Sequence, residues 1–416
     1  MKYDFTVVGG GLSGIAAAVC AAREGLKVLL VEKGGCLGGA MFNNLVYPFM
    51  KSWTRDPKTN EKYHLSAGIF SEMKQRFEKY CPDTTVSSYS PEYYKLVFDD
   101  MVREADVDVL FHARAVSVSH ADEKIKSVEL ITPSGTMHVE ADFFCDATGN
   151  GDLFALAECD FMLGRDSDGL CQPMTNCFRM SGVDVEQFKK DFEMLNRKYT
   201  EYQKDGRITN PRENLLVFYG IGEGIVHFNT TRVIKLDPTD PFDISRAEMT
   251  ARAQIYELDK FLRENSSAFK NSTIISVANE IGVRESRKLK GVYVLTQEDL
   301  KALTVFEDSI ALGNYDIDIH NPNGGDTSHY YFKNGDYYTI PYRSLLPKEY
   351  KNLIVAGRCI SATHEAQASI RILPICACLG QAAGTAAAIA YKSDTDLHGL
   401  SIPALRETLR KNGAEC

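Results

Sequence analysis

Short hydrophobic runs alternate with glycine turns and helical segments at the start of this chain of 416 residues. Residues 3–8 form an aromatic and β-branched run that stops at three glycines, and the Ala-rich residues 13–24 predict a helix. Residues 27–32 form a second run that is apolar on both faces, as a parallel strand covered on both sides requires. The order strand, glycine turn, helix, strand predicts a βαβ unit.

Similar strands are predicted far downstream, at residues 142–148 and 352–356, and each is followed by a glycine turn. The intervening sequence has a different pattern, with polar helices predicted over 186–202 and 245–263 and a strand over 215–219. The domain that contains the βαβ unit is therefore expected to be discontinuous in sequence.

The expected fold class is α/β, a Rossmann-like domain with an inserted α+β substrate domain. Residues 1–170 and 348–416 are expected to form the nucleotide-binding domain, and residues 171–347 the substrate domain.

Composition narrows the possible partners. Hydrophobic residues make up 44% and charged residues 25% of the chain, which is ordinary for a globular protein. The formal net charge of -9 gives no overall attraction to nucleic acid or to an anionic membrane. The eleven cysteines are odd in number and scattered, without the spacing of a zinc site or a redox dithiol, so we expect reduced thiols and no bound metal.

Two further features bear on localisation. The N-terminus lacks the charged, apolar and small-residue regions of a signal peptide, so we expect a cytoplasmic protein. The apolar run at 372–391 is Ala-rich and is interrupted by Gly380, Gln381 and Gly384, which favours a buried helix over a membrane span.

A dinucleotide-binding fingerprint, G-x-G-x-x-G, directly follows the first predicted strand, with Gly9, Gly10, Gly11, Ser13 and Gly14 as candidate contacts. Glycines there allow a tight turn and a close approach to a pyrophosphate, and the following helix presents free N–H groups. Glu32 ends the second strand, where a carboxylate can accept hydrogen bonds from a ribose diol and disfavours a 2′-phosphate.

Three segments carry a resemblance to a known family. They are KGGCLGGA at 33–40, DATGNGD at 146–152 and the tail GRCISATHEAQASIRILPICACLGQAAGTAAAIA at 357–390. In this order they resemble the FAD-dependent oxidoreductases of the two-dinucleotide-binding-domains flavoprotein type, which have a glutathione-reductase-like FAD fold and include bacterial xanthan-lyase-associated flavoproteins. Residues 226–232 and 281–287 are similar to the middle domain of that family.

The resemblance implies FAD as the cofactor, bound noncovalently. Together with the fingerprint, it implies FAD contacts from Gly9, Gly10, Gly11, Ser13, Gly14, Glu32, Lys33, Gly38, Gly39, Ala40, Ala147, Thr148, Gly149, Gly357, Arg358, Arg371, Ile372 and Leu373. Pro374 predicts the first turn of a helix whose positive end can stabilise a reduced flavin.

Candidate catalytic residues follow from their place in these motifs. The resemblance puts His364 in a loop beside the flavin ring, where it either accepts a proton or only holds the loop. If their segment is helical, Arg284 and Arg287 share one face and either clamp an anionic substrate or form solvated salt bridges with nearby acids, and Arg371 precedes the flavin-facing helix. The segment from 314 to 334, which includes His320, His329, Tyr330 and Tyr331, reads as a substrate lid or an ordinary surface loop.

These observations predict an FAD-dependent oxidoreductase that transfers a hydride between a small-molecule substrate and the flavin N5. Two alternatives stay open: an NAD(P)H-dependent flavin monooxygenase, and a non-catalytic flavin-binding sensor or electron-transfer subunit. No nucleic acid or membrane partner is expected.

Overall fold

The computed structural model describes residues 1–81 and 90–416. The helices are α1 (Leu12–Arg23), α2 (Ala40–Asn43), α3 (Ile69–Tyr80), α4 (Tyr93–Glu104), α5 (Asp152–Leu156), α6 (Val185–Lys204), α7 (Pro241–Asn265), α8 (Gln297–Lys301), α9 (His364–Ile370), α10 (Leu373–Lys392) and α11 (Ile402–Lys411). Two short 3₁₀ turns lie at Ser267–Phe269 and Tyr342–Leu345.

The strands are β1 (Lys2–Val8), β2 (Val28–Val31), β3 (Trp53–Arg55), β4 (Lys62–His64), β5 (Asp108–Leu110), β6 (Arg114–Ala121), β7 (Lys124–Thr132), β8 (Gly135–Asp146), β9 (Phe161–Leu163), β10 (Phe178–Ser181), β11 (Val217–Phe218), β12 (Val226–Phe228), β13 (Thr273–Val277), β14 (Arg287–Leu289), β15 (Ser309–Gly313), β16 (Ile317–His320), β17 (Thr327–Tyr330), β18 (Tyr338–Pro341) and β19 (Leu353–Val355).

The main sheet has seven strands in the order β5-β2-β1-β8-β7-β6, with β19 also paired to β8. Strands β5, β2, β1, β8 and β19 pair in parallel, whereas β6, β7 and the first half of β8 form an antiparallel meander. The predicted βαβ unit is confirmed as β1-α1-β2. Because β19 joins the same sheet from residue 353 onward, the sheet is assembled from segments distant in sequence, as expected.

Helices α1 and α10 pack closely because glycine and alanine line their contact. A Cβ added to Gly380 would lie 2.0 Å from the carbonyl oxygen of Ser13, and one added to Gly384 would lie 2.1 Å from that of Ala17. Helix α10 is the one segment of the described chain long and apolar enough to span a membrane, but 89% of its most apolar window is buried inside the protein. The prediction of a buried core helix is confirmed.

A second sheet, in the order β11-β12-β10-β13, forms the centre of the middle region. It packs with α6 and α7 around a separate hydrophobic core that runs from Phe178 to Phe269. Both helices begin at an aspartate, Asp184 or Asp240, whose side chain accepts hydrogen bonds from free backbone N–H groups of the first turn. The strand predicted over 215–219 is present but only two residues long.

The predicted substrate domain, residues 171–347, does not share a single hydrophobic core. Its side chains from Leu289 to Leu346 join the core of the main sheet rather than that of the second sheet. Strand β15 explains this, since it packs on α10 of the main domain and pairs with β18, which contacts α8. The segment from 314 to 334 differs from a loop: it contains the antiparallel hairpin β16-β17.

Candidate active site

Two cavities lie between the main sheet and the middle region. A smaller one, of about 150 Å³, follows the glycine turn and the ends of β2 and β8. A larger one, of about 440 Å³, lies between the main domain and the middle region. Both are lined by Ala40, Asn44, Val283, Arg358, Arg371 and Leu373, so they share a wall.

The glycine turn that lines the smaller cavity is formed by close backbone contacts. Gly9 has φ +109°, and a Cβ there would lie 2.4 Å from the carbonyl oxygen of Ala147. A Cβ on Gly14 would lie 1.7 Å from the carbonyl oxygen of Gly9, so the helix starts directly against the strand end. A Cβ on Gly11, in contrast, would meet no protein atom within 4 Å. The open space in front of Gly11 is therefore the cradle that the fingerprint predicts.

Helix α1 begins at this cradle without a side-chain cap. Its N-cap is Gly11, and the first intrahelical bond runs from the Ile15 N–H to the Gly11 carbonyl, which leaves the preceding N–H groups without helical partners. Unpaired N–H groups at a helix N-terminus, with the positive end of the helix dipole, suit a pyrophosphate.

Glu32 lines the same cavity and is 4% exposed. One carboxylate oxygen accepts the Gly10 N–H and the other accepts the Gly34 N–H, both at 2.7 Å. Each oxygen of an ionised carboxylate has a further lone pair, so both can still accept a ribose hydroxyl. Lys33, at the rim, is more exposed and pairs with Glu280 of the middle region at 2.8 Å.

The turn after β8 is held by the buried Asp146. Its carboxylate accepts the Thr148 N–H, the Thr148 hydroxyl and the Phe154 N–H. Burial raises the pKa of Asp146 to about 6 despite these three bonds. The network fixes Ala147, Thr148 and Gly149 against the glycine turn, where all three line the smaller cavity.

Arg358 lies on the wall shared by the two cavities. Its guanidinium donates to the Asn150 side chain at 2.6 Å, and its Nε has no partner within the described residues. Burial lowers the pKa of Arg358. A cation held here by a neutral amide has capacity for an anionic ligand.

Helix α10 points its N-terminus at this shared wall. Ile372 is the N-cap without a side-chain bond, and Pro374 occupies the first turn, as predicted. Ile372 lines the larger cavity and Leu373 lines both. The free N–H groups and the helix dipole there can stabilise negative charge on a bound group.

Most sequence-predicted cofactor residues therefore line the smaller cavity. Those that do are Gly9, Gly10, Gly11, Ser13, Glu32, Lys33, Gly38, Gly39, Ala40, Ala147, Thr148, Gly149, Gly357, Arg358, Arg371 and Leu373. Gly14 packs behind this lining, against Gly9.

Charged side chains dominate the polar part of the larger cavity. Arg212, Arg284, Arg358 and Arg371 line it together with the acids Glu213 and Asp318. Arg371 lies 3.6 Å from Asp318, and Arg232, behind the lining, lies 2.9 Å from Glu213. Desolvation and neighbouring guanidinium groups lower the pKa of Arg284 to about 9. The balance of charge in this cavity is positive.

Arg284 lines this cavity as predicted, but the structural reason differs. Residues 281–287 are not helical, so Arg284 and Arg287 do not share a helix face. Arg284 donates to the Pro173 carbonyl and the Thr175 hydroxyl, whereas Arg287 starts β14 and pairs with Asp152 at 3.3 Å. The backbone of the sequence GVRESRK forms a β-bridge and a bend. Its pattern of charged residues alone does not predict that geometry.

His320 is held in one neutral form. Its Nδ1 lies 3.0 Å from Nη2 of Arg232, which can only donate, so Nε2 carries the proton and faces Asp318 at 3.3 Å. Burial and nearby Arg284 hold the pKa of His320 well below its usual range. Both nitrogens are occupied, which leaves His320 no free site for a substrate proton.

In His329, unlike His320, only one ring nitrogen has a partner among the described residues. Its Nδ1 lies 2.5 Å from Oδ2 of Asp316, and its ring stacks on Tyr331 with centroids 5.2 Å apart. A carboxylate accepts, so Nδ1 donates and Nε2 is left as an acceptor without a partner in the described part of the chain. His329 lines the larger cavity, and its side chain is 33% exposed.

His364 is not brought to either cavity. It does not lie in the predicted loop but begins α9, whose N-cap Thr363 accepts the Ala366 N–H. Its Nδ1 lies 2.7 Å from Oε2 of Glu285, in a buried cluster that also contains Lys288. His364 is not among the described residues that line the two cavities.

Sequence reasoning missed several residues of the site. Asn44, Asn150 and Val283 line the smaller cavity, Arg212 lines the larger one, and Asp316 contacts His329 of that lining. These residues stand at no fixed sequence separation from the glycine fingerprint, so the fingerprint did not identify them. Asp316 and His329 were detectable only as members of one polar segment, since their contact depends on the register of the β16-β17 hairpin.

The donor set of the smaller cavity fits FAD. An open glycine cradle, free N–H groups, a ribose-type carboxylate and Arg358 match a dinucleotide, and the shared wall lets a bound ring extend toward the larger cavity. No disulfide is recorded among the cysteines of residues 1–81 and 90–416.

Comparisons with known proteins agree with this fit. Glutathione reductase of Schizosaccharomyces pombe is 26% identical over 179 residues, which cover 40% of this chain and 35% of that enzyme. Dihydrolipoyl dehydrogenase of Trypanosoma brucei brucei is 56% identical over 41 residues, covering 10% of this chain and 9% of the relative. The chain thus aligns with about one third or less of the length of these curated relatives.

Solved structures cover the chain more fully at low identity. A geranylgeranyl bacteriochlorophyll reductase-like protein of Thermoplasma acidophilum has a TM-score of 0.48 and 15% identity, covering 99% of this chain and 84% of that one. A p-nitrophenol 4-monooxygenase of Pseudomonas putida has a TM-score of 0.43 and 12% identity, covering 98% and 81%.

The sequence model of one family, described as FAD dependent oxidoreductase, matches residues 4–409. This match spans both cavities and all three segments that carried the resemblance. The protein therefore belongs to the family of FAD-dependent oxidoreductases, enzymes with FAD as cofactor.

Proposed function

We propose that the enzyme oxidises a small molecule bound in the larger cavity by hydride transfer to FAD. The observation that carries this proposal is the shared wall: Arg358 and Leu373 line both cavities, so a substrate in the larger cavity would lie next to a cofactor held in the smaller one. Bound FAD supplies the hydride acceptor at N5.

Residues of this chain supply the proton acceptor, the stabilisation of charge and the exclusion of water that hydride transfer needs. His329 accepts the substrate proton at Nε2 while Asp316 holds the imidazole through Nδ1 and stabilises the charge that forms. The N-terminus of α10 lies at the shared wall, where its dipole stabilises negative charge. Ala40, Met50 and Phe218 exclude water from part of the cavity.

Anaerobic flavin bleaching tests the proposal. Purified enzyme loaded with FAD is mixed with a panel of alcohols, hydroxy acids and amines, and the loss of flavin absorbance is followed in a stopped-flow instrument. At least one class should bleach the flavin without nicotinamide. Bleaching only with NADH or NADPH would instead support the monooxygenase alternative, and bleaching without product formation would support a sensor or electron-transfer role.

A further inference from the structure

Three guanidinium groups of the larger cavity, those of Arg212, Arg284 and Arg358, form no ion pair with an acid of the described residues, and Arg358 lies on the wall shared with the smaller cavity. Arg212 is 4% exposed, and its Nε and Nη1 have no hydrogen-bond partner within residues 1–81 and 90–416. Arg284 donates only to neutral oxygens, of Pro173, Thr175 and Asn229. Both line the cavity.

The acids of this cavity are already engaged by other side chains. Glu213 faces Arg232 at 2.9 Å and also accepts the Thr327 hydroxyl. Asp318 faces His320 at 3.3 Å and Arg371 at 3.6 Å. Away from the wall shared with the smaller cavity, positive charge therefore remains at Arg212 and Arg284 after every described acid of the lining has its partner.

Arg212 is held in place through its backbone rather than through its charge. Gln203 of α6 donates to the carbonyl oxygens of Asn210 and Arg212, and the Asn210 side chain accepts the Arg212 N–H. Asn210 in turn donates to the Thr230 carbonyl. The backbone of Arg212 is thus fixed while Nε and Nη1 of its guanidinium have no hydrogen-bond partner in the described residues, so these donors are available to a ligand.

An unpaired buried cation is costly, because burial removes water that no protein acceptor replaces. A ligand oxyanion can supply the missing acceptors, and a guanidinium binds carboxylates and phosphates through paired N–H donors. The other wall of the cavity is apolar, formed by Val46, Pro48, Met50, Leu216 and Phe218. The favoured ligand combines an oxyanion with an apolar body.

We infer that Arg212 and Arg284 form an oxyanion subsite and that the substrate is a small organic acid, a carboxylate or a phosphate ester, with an apolar body. This inference rests on the proposed function only in calling the ligand a substrate. The subsite itself is tested by binding, without turnover.

The binding test uses FAD-loaded enzyme and four probes at constant ionic strength set with chloride. Benzoate and phenyl phosphate carry both features, inorganic phosphate carries the oxyanion alone, and benzamide is a neutral analogue of benzoate. Flavin difference spectra and thermal unfolding report binding. Benzoate or phenyl phosphate should bind at least tenfold more tightly than benzamide, and whichever binds better identifies the oxyanion; equal binding of benzamide and both acids would overturn the inference.

Variants assign the subsite to its residues. Arg212→Gln should weaken binding of the acids at least tenfold while FAD content stays at the wild-type level, and Arg212→Lys should recover part of the affinity. Arg179→Gln is the matched control, because Arg179 is also buried with unpartnered nitrogens but does not line either cavity. Its acid affinity should stay within threefold of wild type.

Two outcomes would contradict the subsite. One is an Arg212→Gln enzyme that binds benzoate and phenyl phosphate like wild type, and the other is an Arg212→Gln enzyme that loses FAD, which would assign Arg212 to the cofactor. If acids bind through Arg212 but no acid bleaches the flavin, the subsite stands and the proposed hydride transfer fails. The two failures are therefore distinguishable.

Discussion

The two cavities meet at one wall but are built from different parts of the chain. The smaller cavity is built around the glycine turn, whose Gly10 N–H is accepted by the Glu32 carboxylate, together with the N-terminus of α1. In the larger cavity the polar groups are charged side chains, from Arg212 to Arg371. A backbone cradle suits a cofactor common to a family, whereas a side-chain lining can change with the substrate.

This difference predicts how each cavity responds to substitution. A backbone cradle fails when an added atom prevents close approach, so its most sensitive positions are glycines. A side-chain cavity keeps its shape when one polar group is replaced but loses the chemistry of that group. The predictions below test this contrast, from the largest expected effect to the smallest.

Gly14→Val should prevent folding around FAD. Any side chain at Gly14 collides with the Gly9 carbonyl, 1.7 Å from the added Cβ, and neither backbone segment can move without separating α1 from β1. We expect a loss above ~4 kcal/mol in the free energy of unfolding, or no soluble protein. Circular dichroism and flavin absorbance of the purified variant measure it.

The control for that change is Gly11→Ala, in the same turn. Its Cβ meets no protein atom within 4 Å, and its φ of -71° suits alanine. The apoprotein should unfold at the wild-type temperature, but FAD should bind at least tenfold more weakly because the methyl group projects into the cradle. A Gly14→Val protein with wild-type FAD content would refute the cradle geometry.

His329→Gln should slow flavin reduction by about 10²- to 10⁴-fold with FAD still bound, the usual effect of removing a general base. The cradle is untouched, so absorbance and thermal stability should hardly change. Rapid mixing with a substrate found in the bleaching screen gives the rate.

His364→Gln is the companion variant, since sequence motifs favoured His364 and the cavity lining favours His329. Because His364 contacts the buried Glu285 rather than a cavity, its loss should lower stability and leave the reduction rate within threefold. The reverse result, slow flavin reduction in the His364 variant and wild-type flavin reduction in the His329 variant, would assign the proton acceptor to His364, as the motif suggested.

The sequence predicted the backbone-built cavity far better than the other one, for a physical reason. Glycines that allow close approach must stand at fixed separations from a strand and a helix, so the pattern at 9–14 and the acid at 32 reveal local geometry. Strand, helix and acid were all found where expected.

The larger cavity depends on long-range contacts that carry no such spacing. Arg212 acquires its role from Gln203 and Asn210, and the Asp316–His329 pair exists only because β16 and β17 pair in one register. A shift of one residue would place His329 on the other face of the hairpin. The polar composition of the segment signalled function but not which histidine performs it.

Glu32→Ala should weaken FAD binding by ~1 to 3 kcal/mol, since ribose hydroxyls and the Gly10 and Gly34 N–H groups lose their acceptor. Titration of apoprotein with FAD measures the affinity. Asp4→Ala is the control: Asp4 accepts the Lys27 N–H at 2.7 Å on the same sheet but lies outside the cavity lining. If both variants lose equal FAD affinity, the effect comes from the sheet and not from ribose recognition.

Lys33→Ala should have the smallest effect, although Lys33 lines the cradle and links it to the middle region. Its pair with Glu280 is exposed, with side chains 52% and 44% accessible, and such pairs contribute about 0 to 1 kcal/mol to stability. FAD affinity should stay within threefold, because the cradle binds through backbone groups that this change leaves in place. Lys288→Ala provides the contrast: Lys288 pairs with the buried Glu285, and removing one partner of a buried pair costs ~3 to 5 kcal/mol. Urea unfolding of both variants measures the difference, and a Lys33→Ala loss comparable to that of Lys288→Ala would mean that side-chain charge, not backbone geometry, holds the smaller cavity against the middle region.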